Sequence, residues 1–132
     1  MRHLLALPFA CIMLTACAAP SGPQVRSFAL EPGTSVEAAP GVLLRFEEVE
    51  DSRCPPGVRC VWAGKLSCRF SLALTHPKSG AAPESFTLAP GDAGHASSLL
   101  GGARLMLDEA SLPAPAPQGA VASHRVTVKV LP

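Results

Sequence analysis

The residues with chemistry to offer are clustered. Residues 51–64 read Asp-Ser-Arg-Cys-Pro-Pro-Gly-Val-Arg-Cys-Val-Trp-Ala-Gly. Cys54 and Cys60 form a Cys-x5-Cys pair around Pro55-Pro56-Gly57. Two prolines stiffen that loop and glycine permits a positive-φ turn, so its ends can approach disulfide distance. In the chain-entropy model a bridge over so short a loop contributes about 2–3 kcal/mol. A thiolate metal site is the alternative, although the spacing is poor for zinc. Arg53, Arg59 and Trp62 ride on the same segment and make it a candidate interaction loop. Asp51 and loop carbonyls are the expected partners of Arg53. Arg59 sits inside the loop, where the default is a solvated arginine. Trp62 is the only Trp and the chain has no Tyr. A small core needs the area of an indole, so the ring is expected to cap that core beside the bridge, with an exposed binding anchor as the other reading.

Elsewhere the reactive residue types are scattered. His76, His95 and His124 show no ligand spacing, and each is expected to be solvated. Glu47, Glu48, Glu50 and Asp51 form an acidic run that fits no calcium loop, so a solvated strand end is expected. Ser52, Ser97-Ser98 and Gly101-Gly102 match no nucleophile elbow or phosphate loop. No catalytic residue, metal or cofactor is therefore assigned, and the chain is not expected to be an enzyme. The formal net charge is +1 with no Lys/Arg run, which argues against nucleic acid as a partner. No stretch beyond the first residues approaches about 18 unbroken apolar positions, so a multi-pass membrane protein is excluded.

The first residues are an address. Arg2 supplies a positive n-region, Leu4 to Met13 an apolar h-region, and small residues follow. The end of this segment, Leu14-Thr15-Ala16-Cys17, resembles the lipobox of bacterial lipoproteins. The resemblance implies a signal peptide over residues 1–16. It also implies a thioether-linked diacylglycerol on Cys17 and an acyl chain, such as palmitate, on the new amine. Each buried methylene adds about 0.8 kcal/mol, so three chains make a lasting membrane anchor. Ala18 follows the cysteine where Asp would mark inner-membrane retention. In a Gram-negative host the resemblance therefore implies the periplasmic face of the outer membrane. Residues 17–24 then form the lipidated cysteine and a short, Pro-broken tether, and residues 25–132 a single domain. Loss of residues 1–16 removes Arg2 alone among the charged residues, leaving Lys and Arg equal in number to Asp and Glu.

An extracytoplasmic destination favours the disulfide over the metal site, because disulfides persist there. The five cysteines then divide into Cys11 in the signal, Cys17 with lipid, the Cys54–Cys60 pair and Cys68. Cys68 falls on the inward side of an alternating strand and is expected to be a buried, inert thiol. Exchange with the nearby pair and intermolecular bonding are its alternatives.

The run from Asp51 to Gly64 also resembles the D-S-R-C-P-x-x-V-x-C-x-W-A-G signature of a family of small, poorly characterised bacterial secreted proteins and lipoproteins. The matching positions are Asp51, Ser52, Arg53, Cys54, Pro55, Val58, Cys60, Trp62, Ala63 and Gly64. A strand before the motif, an alternating strand after it and a closing C-terminal strand fit that family's layout. The resemblance carries no activity, and Cys68 lies outside the signature.

Period-2 alternation dominates the remaining chain. Leu66, Cys68, Phe70, Leu72 and Leu74 alternate with polar or small residues, as do Val126, Val128 and Val130. Val42, Leu44 and Phe46 repeat the pattern, which slips at Glu48-Val49 and marks a bulge or a strand end. Shorter strands are expected at Val25 to Leu30, Ser85 to Leu88 and Ala103 to Asp108. Pro/Gly turns separate them, and 14 prolines leave room only for helical turns near Ala96 to Leu100 or Asp108 to Leu112. Pro113 to Pro117 is expected to be a stiff extended connection. These features predict an all-β fold, a small antiparallel sandwich or barrel of about six to seven short strands.

The expected function is a lipid-anchored envelope domain acting as a binding or structural accessory, with the membrane and an envelope protein as partners. An alternative is a protease-inhibitor-like or peptide-binding module using residues 53–62, since a rigid loop presenting Arg59 resembles how some inhibitors offer a basic residue. A third reading gives Cys54, Cys60 and Cys68 a copper or redox role.

Overall fold

The structure is a computed structural model that describes residues 22–78 and 81–132. The expected signal segment, Cys11, Cys17 and all of the tether before Gly22 lie outside the described residues. The described chain is all-β, as the alternation predicts. Its strands are β1 (Arg26–Leu30), β2 (Ser35–Ala39), β3 (Val42–Asp51), β4 (Leu66–Leu74), β5 (Glu84–Leu88), β6 (His95–Ala96), β7 (Arg104–Leu107) and β8 (Val126–Leu131). The count exceeds the expected six to seven because β2 and the two-residue β6 carry too few apolar residues to announce themselves. Both expected helical turns form as short 3-10 segments, Ser98–Leu100 and Glu109–Ser111.

Two four-stranded antiparallel sheets pack face to face, in the orders β1-β8-β7-β6 and β2-β3-β4-β5. Each strand therefore lies beside its successor in sequence, with β8 returning to β1. Hydrogen bonding along this ring is interrupted twice, between β1 and β2 and between β5 and β6. The molecule is thus a sandwich and not a closed barrel. Side chains stitch both seams. Arg26 on β1 donates to the Ala38 carbonyl on β2. Glu84 on β5 accepts from Ser97 just past β6 at 2.8 Å and bonds His95 on β6.

The inward face of each strand supplies the core. Leu44, Phe46, Cys68, Phe70, Leu72, Leu88, Leu105, Val126 and Val128 are all buried. The register places Phe46, Phe70 and Phe86 side by side on β3, β4 and β5. Their rings stack at centroid distances of 4.7 Å and 5.9 Å, and Phe86 stacks on His95 at 4.2 Å. This aromatic row runs from the middle of one sheet across the seam to the other. Burying each phenyl ring stabilises the fold by about 1.5–3 kcal/mol.

The slip in the β3 pattern is a bulge. Its register against β4 shifts between Phe46 and Glu48. Before the bulge the even positions Val42, Leu44 and Phe46 point inward; after it the odd positions Val49 and Asp51 do. One extra residue reverses the facing of everything beyond it. The bulge therefore turns a carboxylate, Asp51, toward the interior at the end of the strand.

Candidate functional site

The motif residues build the β3–β4 loop, residues 52–65. The hairpin ladder continues into this loop by backbone bonding. The Ser52 amide donates to the Lys65 carbonyl at 2.8 Å, the Lys65 amide donates to Ser52 Oγ at 3.0 Å, and the Cys54 amide reaches the Ala63 carbonyl at 3.4 Å. Cys54 and Cys60 are joined by a disulfide with a Cα–Cα distance of 5.9 Å, the pairing expected from the sequence. The Pro55-to-Val58 turn closes with Val58 N–H donating to the Pro55 carbonyl at 3.3 Å, and Gly57 takes φ +77°. Gly64 is more tightly specified. It has φ +69°, and a Cβ there would sit 1.8 Å from the Ser52 carbonyl oxygen.

Below the loop, Asp51 gathers nitrogen partners. Arg53 donates through Nε to Oδ1 and through Nη2 to Oδ2, both at 2.8 Å, and its amide adds a bond of 3.2 Å. His124 Nε2 approaches Oδ2 at 3.2 Å. Arg53 also donates through Nη1 to the Pro113 carbonyl at 2.9 Å. One carboxylate thus ties the β3–β4 loop to the proline-rich connection and to the start of β8. The Arg53 bonds hold the Asp51 carboxyl down at about 2, overcoming the effect of burial, with His124 adding to the same direction. Arg53 is raised in return, mainly by Asp51. Cys68 is fully buried, and burial pushes its thiol up to about 11, with the Asp51 charge acting the same way and Arg53 opposing. Near neutrality Asp51 is therefore a carboxylate and Cys68 a thiol. The cluster is a brace.

The three residues proposed for the loop separate. Arg53 turns inward and serves the brace. Arg59 is exposed and, like Lys65, makes no ion pair among the described residues. Trp62 corrects the expectation that it would cap the core: its side chain is 75% exposed, and Val61 beside it is 94% exposed. The disulfide and the ladder hold the loop clear of the sheets, so the indole has no core to reach. Of six large apolar side chains exposed among the described residues, Val58, Val61 and Trp62 are three.

Two histidines also depart from expectation. His76 is solvated, but His95 lies against Phe86 and Glu84, and His124 belongs to the brace. His124 stands 73 residues from Asp51 in sequence; the bulge turns Asp51 inward and the start of β8 brings His124 to it. The acidic run disperses among separate partners. Glu47 accepts from Ser71 at 2.5 Å and pairs with Arg45, Glu48 pairs with Arg69 at 2.9 Å, and Asp51 enters the brace. The Ser71 hydroxyl is the main cause that lowers Glu47. With Cys54 and Cys60 bonded and Cys68 buried, no thiol faces solvent among the described residues. Comparison with protein-family models, with curated proteins and with solved structures finds no match to this chain.

Proposed function

We propose that this chain is a lipid-anchored accessory domain of the bacterial cell envelope that works by binding, not by catalysis. The observation that carries the binding reading is the braced, disulfide-closed loop exposing Val58, Val61 and Trp62. A small domain that buries Phe46, Phe70 and Phe86 while leaving its one indole in water spends stability there, and such side chains anchor interfaces. The lipobox resemblance at Leu14 to Cys17 supports the anchor, and Ala18 supports the outer membrane in a Gram-negative host. A photo-crosslinking amino acid at Val61, activated in living cells, should trap a discrete partner that the same group at exposed Thr87 does not. Equal trapping at both positions, or none, ends the binding reading. Intact mass of the purified chain should show acyl chains on Cys17; an unmodified Cys17 ends the anchor.

Arg59 favours a second reading, that of a protease inhibitor, because it is exposed between two bonded cysteines and makes no ion pair among the described residues. Inhibition of a trypsin-like protease that Arg59→Ala abolishes would establish it. A panel left uninhibited by the wild-type chain removes it. A copper or redox role would have to begin with reduction of the Cys54–Cys60 bond.

A further inference from the structure

We infer that the loop tip is a preformed plug for an apolar pocket with an acidic rim on a partner protein, presented at the pole of the domain farthest from where the chain enters it. This rests on the binding reading above and adds the partner's chemistry and the direction from which it approaches.

The polarity follows from the topology. β1 starts at Arg26 opposite Val130 and ends at Leu30 opposite Val126. Successive strands alternate in direction, so the connections after β1, β3, β5 and β7 gather at one pole. Those after β2, β4 and β6 gather at the other with both ends of the described chain. Two surface clefts mark these poles. One is lined by Gln24, Leu100, Gly101 and Pro132, the other by Glu31, Pro32, Ser123 and His124. His124 bonds Asp51 at the base of the stapled loop, which places that loop at the second pole. A ten-residue strand such as β3 separates the poles by about 30 Å.

The partner's chemistry follows from the tip. Residues 52–65 contain no Asp or Glu, and Arg53 is consumed by Asp51. Arg59 beside the tip and Lys65 at the base of the loop remain as exposed cations with no ion pair among the described residues, on the loop that carries Val58, Val61 and Trp62. Tryptophan and arginine are the residue types that dominate interface energetics. An apolar tip on a loop whose unpaired charges are positive is complementary to an apolar pocket with carboxylates at its rim. An anionic lipid surface offers the same charge. The loop's rigidity argues for a protein instead. The disulfide, the ladder bonds, Gly64 and the Arg53 clamp fix the tip before binding. Preorganisation cuts the ordering cost of binding, and shape complementarity to a fixed tip is something only a shaped pocket can exploit.

The test is selection of random peptides displayed on phage against the full chain as isolated from its host, followed by affinity measurement on synthetic copies. Selected peptides should combine Asp or Glu with Leu, Phe or Trp. Their binding should fall at least about tenfold in Trp62→Ala and in Arg59→Glu and should weaken with salt. Both positions are exposed, and Val61→Asp is a further variant that leaves the core untouched. Peptides without an acidic bias, a Trp62→Ala variant that binds as well as wild type, or no selection at all would overturn the inference. Each of these leaves the in-cell crosslinking at Val61 to decide binding as such. Trp62-dependent sedimentation with vesicles of phosphatidylethanolamine and phosphatidylglycerol would overturn it in favour of a membrane surface. A Trp62-dependent dimer in the ultracentrifuge would overturn it in favour of a second copy.

Discussion

Asp51 shows how one side chain comes to matter. An aspartate at the end of a strand ordinarily faces water. The bulge at Glu47 turns this one inward, where its side chain is 12% exposed, and an unpaired carboxylate there would be costly. Arg53 and His124 compensate it. Because the folded value is depressed from near 4 to about 2, the carboxylate's stabilising contribution is present above pH about 4 and is lost as pH falls through about 2. The shift corresponds to about 2 kcal/mol. Asp51→Asn should lower unfolding free energy at pH 7 by about 2–4 kcal/mol, since it also leaves Arg53 uncompensated. It should also flatten the acid loss between pH about 4 and 2. Denaturant titrations at both pH values check this; a variant whose stability falls with acid as steeply as wild type would remove the carboxylate from the account. The cysteine pair was legible in the sequence because its partners are neighbours. The His124 contact was not, because it depends on how β8 docks beside the end of β3. Trp62 misled because the need of a small core for area says nothing about whether a stapled loop can deliver it.

At the scale of elements, the strands with the longest alternation, β3, β4 and β8, could be read directly, and so could the bulge. β2 was missed because its inward positions are Val36 and Ala38, and one small residue does not make a period. The loop between β3 and β4 depends on glycine for two different reasons. At Gly57 only the positive φ matters, since nothing lies near an added Cβ. At Gly64 the added atom collides with the Ser52 backbone. Gly57→Ala should therefore cost about 1 kcal/mol, the ordinary penalty of a left-handed alanine. Gly64→Ala should cost more than about 2 kcal/mol, because backbone has to move as well. Denaturant midpoints of the two variants compare them. Equal losses would mean that the loop is not held against Ser52.

For the whole molecule, the two unbonded seams are the weak places of the architecture. Each leaves strand edges that could pair with another chain, and each is closed by side chains reaching across. Glu84 does this for β5 and β6, held below the usual carboxylate range chiefly by His95 and also by the nearly fully buried Ser97. Glu84→Ala would strip Ser97 of its acceptor and unfasten His95. A loss of about 1–3 kcal/mol is expected, together with association that grows with concentration in light scattering. A variant that stays monomeric and equally stable would show that the aromatic stack alone closes the seam. The ring-like strand order also bears on folding. Among the described strands, β1 comes first in the chain, yet the strand it pairs with in its sheet is β8. β2 to β5 pair with their neighbours in sequence, while β1 keeps its edge unpaired until β8 docks. A chain cut short before residue 126 keeps that edge open and offers it to proteases. The sheet therefore closes around β1 only when strands about a hundred residues apart meet.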